Sequence, residues 1–233
     1  MVSPINNKIS CTSFNLCVKT KEKGKRMKQD KEIVKLFKKV KKCRKCYPHE
    51  LCVPLPDPKN GYKNVKVMFI NERPGRIGAG GSNYISFDNN DPSAKWFKYC
   101  FSLTNLSRKE IFTTNACLCY PKKEGYNDTT PKTQIIKNCQ DWLELQIEIM
   151  KPKLIVTLGN SALKAIKLRF KDQNSKELKR FKLKNNIGTV VKTTNPWIYP
   201  IYHTSLRARI TRKNNQQKKD WEKIRTILKE LKK

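Results

Sequence analysis

Residues 153–159 read Lys-Leu-Ile-Val-Thr-Leu-Gly, and the glycine opens directly onto an amphipathic segment running from Ser161 to about residue 170. A run this apolar and β-branched is a strand buried on both faces, so the chain must supply cover above and below it. The same order recurs. An apolar run at 65–70 is followed by a helix start at Asp91-Pro92-Ser93, with Trp96, Phe97, Cys100, Phe101 and Leu103 as core residues. A strand at 110–119 is followed by the clearest helix of the chain, 132–150, with Ile135, Cys139, Trp142, Leu143, Gln146 and Met150 on one face. Strand material at 189–191 and 198–202 precedes a last helix carrying Trp221, Ile224, Ile227, Leu228 and Leu231. Strands alternating with helices form parallel sheets. The predicted fold is α/β, a three-layer α/β/α arrangement with a central, mostly parallel four-stranded sheet.

Residues 1–30 have no apolar period and read as a disordered basic arm, in which Cys11 and Cys17 are incidental thiols; residues 31–233 form the domain. A short amphipathic helix from Lys31, with Ile33, Leu36, Phe37 and Val40 inward, leads into Cys43-Arg44-Lys45-Cys46 and then a connector rich in proline (Pro48, Pro54, Pro56, Pro58). Polar stretches at 122–131 and 171–184 read as a loop and a cationic surface insertion. The 51 Lys and Arg against 19 Asp and Glu, a formal charge of +32, favour a polyanionic partner, nucleic acid first. No apolar run approaches the roughly 20 residues of a membrane span, and no secretory signal opens the chain. The expected setting is therefore the cytoplasm, where nine cysteines serve as metal ligands or buried thiols rather than disulfides.

Three chemical groups stand where open α/β sheets bind ligands, at the carboxyl ends of strands. Glu72 lies in Asn71-Glu72-Arg73-Pro74-Gly75, whose plainest reading is a sharp loop. Asn115 lies near the end of the second strand, where an amide can read a planar polar ligand or bond its own turn. His203, one of two histidines, follows the last strand. The glycine-rich loop at Gly75, Gly78, Gly80 and Gly81 lacks the phosphate-binding fingerprints. A lone Cys-x-x-Cys serves as a zinc half-site, a redox pair or a cluster half-site, and needs two more ligands.

Taken together, these motifs resemble the uracil-DNA glycosylase superfamily, most closely its iron-sulfur branch, family 4, from about residue 31 onward. That branch carries a Cys-x-x-Cys after a short helix, matched by Cys43 and Cys46. Its Gly-Glu-Ala-Pro-Gly motif is matched by residues 71–75. Its Thr-Asn-x-x-x-Cys-x-Pro strand is matched by Thr114, Asn115, Cys119 and Pro121. A cysteine opening the next helix is matched by Cys139, and a Pro-Lys-x-Ile-Val-x-Leu-Gly strand by residues 152–159. Of the terminal His-Pro-Ser, His203 and Ser205 remain. The departures are Asn71 and Arg73, bulkier than the family's Gly and Ala and expected to narrow the pocket; Thr204 in place of proline, expected to soften the loop; and the sequence around Phe87, which is closer to other branches.

The resemblance implies a monofunctional DNA repair hydrolase that flips uracil out of DNA and cleaves its N-glycosidic bond. The alternatives are a glycosylase for another deaminated or mispaired base and a non-catalytic iron-sulfur DNA-binding protein. Glu72, His203 and Asn115 take the catalytic roles. Phe87, Asn115, Pro74 and Gly75 form the base pocket. Ser205, Leu206, Arg207 and Arg209 meet DNA, joined by Arg212, with Leu206 as a wedge. Cys43, Cys46, Cys119 and Cys139 hold a 4Fe-4S cluster, with zinc as the alternative and Cys117 as a rival to Cys119. The expected partner is uracil-containing DNA, bound by a monomer, with no membrane.

Overall fold

The structure, a computed structural model, describes residues 28–47, 51–62, 65–121, 129–170 and 176–232. Nearly all of the predicted arm lies outside these residues, as do Pro48 and most of the polar loop at 122–131. In chain order, α1 (Lys28–Val40) precedes two short strands, β1 (Leu51–Cys52) and β2 (Leu55–Pro56), and then β3 (Val67–Asn71). Next come α2 (Ala79–Ser82), β4 (Tyr84–Ile85), α3 (Pro92–Ser102), β5 (Ile111–Asn115) and β6 (Tyr120–Pro121). The second half contains α4 (Thr133–Asn138), α5 (Gln140–Met150), β7 (Leu154–Leu158), α6 (Asn160–Arg169), α7 (Lys176–Arg180) and α8 (Leu183–Asn186). It ends with β8 (Trp197–Ile201), α9 (Leu206–Thr211) and α10 (Asn214–Glu230).

The central sheet has four strands in the order β5-β3-β7-β8, all parallel. Alternation along β3 divides its side chains between two cores. Val67 and Phe69 pack with Phe97 and Phe101 of α3 and with Trp221 and Ile224 of α10. Met68 and Ile70 belong to the opposite core, with Phe37 of α1, Leu143 of α5 and Ile166 of α6. Helices therefore cover both faces, and the predicted three-layer fold is the observed one. No helix among the described residues is long and apolar enough to cross a membrane.

The structure departs from the sequence reading in four places. The second strand stops at Asn115, and residues 116–119 are not strand. The helix predicted over 132–150 is two helices broken at Cys139, whose N–H is shared between the carbonyls of Ile135 and Ile136, both at 3.2 Å. Both halves keep an apolar face, so the periodicity runs through the break unmarked. The supposed insertion contains α7 and the start of α8, and Leu178, Phe181 and Leu183, in and between them, are buried although lysines surround them in sequence. Of residues 189–191, only Val191 pairs, in an isolated antiparallel bridge to Ile198.

Candidate active site

At the carboxyl ends of the sheet strands lies a cavity of about 370 Å³, lined by Glu72, Pro74, Gly75, Phe87, Asn115, His203 and Ser205 among others. This size falls in the range of small-molecule sites, roughly 300–1,000 Å³. Asn71 and Asn115 sit side by side in the parallel register of β3 and β5. Main-chain bonding continues past both strands: Ala116 N–H donates to the Asn71 carbonyl at 2.8 Å, and Cys117 N–H to the Glu72 carbonyl at 3.0 Å. The loop bearing Glu72 is thus held to the sheet.

The Glu72 carboxylate accepts a 2.6 Å hydrogen bond from the Ser161 hydroxyl, in the first turn of α6. Sequence reasoning passed over Ser161, although a hydroxyl opening the helix after β7 stands at the ligand-binding edge. Gly159 makes that turn with φ +86°, and a Cβ on it would come within 3.4 Å of the His203 Cβ. That spacing is an ordinary van der Waals contact, so it is the positive φ rather than crowding that calls for glycine here. Asn115 is 3% exposed, and its amide nitrogen has no hydrogen-bond partner among the described residues. A buried donor left in this way costs about 1–3 kcal/mol, which a ligand in the cavity would recover.

His203 is fixed by its own loop. Its Nδ1 accepts the Ser205 N–H at 3.0 Å, so a neutral ring carries its proton on Nε2. Burial pushes its pKa down to about 4, and the Asp91 carboxylate opposes this only in part. The imidazole is therefore neutral at pH 7 and acts as a donor. Asp91, which the sequence marked only as a helix start, also lines the cavity. One of its oxygens caps α3 through Ser93 N–H and Ala94 N–H, both at 3.0 Å. The other lies where a Cβ on Gly78 would come to 2.4 Å. Behind the site, the His203 carbonyl accepts from Gln217 at 3.2 Å, and Gln217 in turn accepts from the Trp96 indole at 2.8 Å.

Phe87 lines the cavity. Phe97 stacks on its ring at 4.6 Å between centroids and 19° between planes, and the Arg108 guanidinium lies 3.7 Å from its centroid. Two partners this close cannot share one face, so stacking a base on Phe87 requires one of them to move. The bulky Arg73 reaches Tyr47, 3.3 Å away and next to Cys46, and the Asn71 amide bonds the Thr114 carbonyl at 3.4 Å. Thr204, in the proline position, is 1% exposed, so the loop is packed rather than loose.

In α9, Leu206 is 60% exposed, Arg207 is exposed, and Ser205 caps the helix by accepting the Ala208 N–H at 3.4 Å. None of Leu206, Arg207 and Arg209 lines the cavity: Leu206 and Arg207 are exposed, and Arg209 is half-buried against the Trp96 ring. Arg212, expected beside them on DNA, is instead bound by Asp220 through two hydrogen bonds of 3.0 and 2.6 Å. A guanidinium committed to a buried carboxylate is a structural pair.

The cysteines gather beside the Glu72 loop, where Cys117 N–H bonds the Glu72 carbonyl and Arg73 neighbours both Cys46 and Cys117. Cys43 and Cys46 follow α1, and pairing of β1 with β6 brings the segment after them alongside Tyr120. Asn138 donates to the Cys46 sulfur at 3.4 Å and to the Lys45 carbonyl at 3.0 Å, and Lys45 pairs with Asp141 at 2.7 Å. These contacts fasten the Cys-x-x-Cys loop to the helix break at Cys139. Cys139 accepts hydrogen bonds from Cys117 and Cys119, which hold its thiol well below the usual thiol range. The same bonds, with burial, push Cys117 and Cys119 far above the usual thiol range. Among the described residues no three His, Cys, Asp or Glu side chains are grouped for a single metal ion. The donor set fits an iron-sulfur group chemically: it consists of thiols on three segments, with the Asn138 amide and the Leu118 N–H directed at sulfur.

A profile of the Uracil DNA glycosylase superfamily matches residues 58–229. The Type-4 uracil-DNA glycosylase of Sulfurisphaera tokodaii is 25% identical over 202 residues, covering 83% of each chain. That of Saccharolobus solfataricus is 29% identical over 181 residues, covering 70% of this chain and 71% of its own. A Type-5 uracil-DNA glycosylase of Pyrobaculum aerophilum is 26% identical over 163 residues, covering 64% and 66%. The profile spans the whole sheet and every group around the cavity, and on that match the chain belongs to the uracil DNA glycosylase superfamily.

Proposed function

We propose that this chain is a uracil-DNA glycosylase, hydrolysing the bond between a flipped-out uracil and its deoxyribose to leave an abasic site. The observation that carries this reading is the pairing, in one cavity, of an unpartnered Asn115 amide with a neutral His203 whose proton sits on Nε2. A nucleotide must leave the stack before its glycosidic bond can be reached. The Asn115 amide then bonds the polar edge of the base, and Pro74 and Gly75 wall it. His203 donates to the pyrimidine O2, where negative charge gathers as the bond lengthens. The sugar turns oxocarbenium-like, and Glu72, oriented by Ser161, holds the incoming water or stabilises the cation. Water's oxygen bonds to the anomeric carbon, the base leaves as an anion with the bonding electrons, the water's surplus proton passes by way of Glu72 or solvent to that anion, and no covalent enzyme intermediate forms. All of these groups come from one chain, so a monomer suffices.

Cys43, Cys46, Cys119 and Cys139 would hold a 4Fe-4S cluster, zinc being the alternative at the same thiolates. Its contribution is structural, tying α1 and the helix break at Cys139 to the loop behind Glu72. Cys119 lies within electrostatic reach of Cys43, Cys46 and Cys139, whereas the neighbours of Cys117 are Cys139, Cys119 and Arg73. Cys119→Ser should therefore lower iron and sulfide per chain far more than Cys117→Ser, read by elemental analysis of anaerobically purified protein. The reverse order would exchange the two ligands.

The function itself is tested on single-stranded and U·G duplex oligonucleotides, by alkaline cleavage at the abasic product. Strand scission at uracil alone is the expected result. Intact strands with cluster-loaded protein that still binds DNA would move the reading to another deaminated or mispaired base, and then to a binder without catalysis.

A further inference from the structure

Beside the cavity mouth, Arg209, Trp96, Tyr99 and Lys218 form a continuous series of contacts. The Trp96 and Tyr99 rings stack at 5.1 Å with 16° between planes. The Arg209 guanidinium lies 5.3 Å from the Trp96 centroid, and the Lys218 ammonium 5.0 Å from the Tyr99 centroid. Each cation thus rests on an aromatic ring, and neither forms an ion pair among the described residues. Arg212, by contrast, is neutralised by Asp220. Tyr99 is 43% exposed, an unusual position for a large ring with no structural partner beyond this stack.

We propose that this stack is a docking surface for the sugar-phosphate backbone of the strand that carries the extruded nucleotide, with Arg209 and Lys218 each taking a phosphate. The proposal rests on the DNA reading above and adds a surface to it. Pro92 and Ser93, at the start of α3, line the cavity, and so does Ser205 just before α9. Ala94 and Phe97 of the same helix line it too, so Trp96 stands among the α3 residues that border the cavity and Tyr99 less than one turn past Phe97. The rings contribute by restricting long cationic side chains to one region: Arg209 lies against the Trp96 ring, and Lys218, itself open to solvent, is held by the Tyr99 side chain. They do not offer a slot for a base, because each ring already stacks on the other and carries a cation.

The surface shares its framework with the catalytic loop. Gln217, next to Lys218 in α10, bonds both the Trp96 indole and the His203 carbonyl. A strand seated on the stack therefore lies against the same residues that hold His203 in place.

The test is the salt dependence of binding to a duplex carrying a tetrahydrofuran abasic analogue, which is not cleaved, measured by fluorescence anisotropy. Lys218→Gln should reduce the slope of log affinity against log salt by about 0.9, the value for one lost phosphate contact. Tyr99→Leu removes no charge, yet should weaken binding about two- to fivefold at low salt by releasing Lys218. Lys229→Gln, at the far end of α10, changes net charge equally and should leave the slope unchanged. Equal slopes for Lys218→Gln and Lys229→Gln, or wild-type affinity for Tyr99→Leu, would overturn the docking surface while the glycosylase reading stands. Wild-type protein that shows no salt-dependent binding at all would remove the DNA reading itself. Circular dichroism of each variant separates lost contacts from lost folding.

Discussion

Replacing His203 with alanine should slow uracil excision by about 100- to 1,000-fold, the usual cost of removing one preorganised donor to a developing anion. Affinity for uracil-containing DNA should change far less. The donor acts on charge that appears only as the bond breaks, so its loss falls on the rate of the chemical step rather than on ground-state binding. Single-turnover excision and equilibrium binding measured on the same oligonucleotide separate the two. Equal losses in both would demote His203 to a binding residue. The pH dependence gives a second reading. A histidine acting as a protonated acid near its ordinary pKa of 6.5 would speed excision as pH fell through that value. With Nδ1 occupied by the Ser205 N–H and the pKa held down to about 4, His203 stays neutral throughout that interval. The His203-dependent part of the rate should therefore show no rise between pH 8 and 5. It should fall only as the pH nears 4, where protonation of Nδ1 breaks its bond to Ser205. An inflection near 6.5 that vanishes in His203→Ala would contradict the neutral-donor assignment.

Phe69→Ala should be the most damaging substitution in the core, costing about 3–5 kcal/mol of stability. Phe69 is fully buried in β3; it stacks on Trp221 at 5.2 Å and 13° and meets Phe97 edge-on at 5.4 Å. These neighbours sit on separate helices, α10 and α3, fixed to opposite parts of the chain. They cannot collapse together into the space a ring would leave, so most of the cavity term would remain. At about 2–4 °C per kcal/mol for a chain of this size, melting should fall by roughly 6–20 °C in a circular-dichroism scan. Phe69→Leu, which keeps much of the volume, should recover about half of that. A drop below about 1 kcal/mol for the alanine variant would mean that the two helices close the gap after all.

The architecture was readable where physics imposes an unbroken local pattern. Strands buried on two faces must be apolar throughout, so β3 and β7 announce themselves, and with them the strand ends where Glu72, Asn115 and His203 stand. The cavity contains all three, and it contains Pro74, Gly75 and Phe87 as well. What the sequence hid depends on contacts between separate elements. The guanidinium that lies against Phe87 comes from Arg108, and the carboxylate that pairs with Arg212 comes from the next helix. The role of Asp91 is concealed by a local one, since a helix cap and a cavity wall require the same residue there. The break at Cys139 is invisible because a helical stripe on each side of a kink keeps its spacing. Helices α7 and α8 are too short and too rich in lysine for any period to emerge, and only tertiary contact shows that Leu178, Phe181 and Leu183 face inward.

The two main-chain hydrogen bonds that continue the β3–β5 pairing, from Ala116 to Asn71 and from Cys117 to Glu72, bear on how this chain can vary over evolutionary time. A bond between an amide and a carbonyl is indifferent to the side chains of the residues that make it; any residue but proline can supply the donor. Placement of the Glu72 loop is therefore written in peptide groups rather than in a particular set of neighbours. Substitutions can accumulate at the flanking positions, as Asn71 and Arg73 illustrate, without shifting the carboxylate. A chain only 25% identical to a relative can on these terms drift freely in composition around a fixed site, and its divergence measures the latitude of the side chains rather than of the geometry.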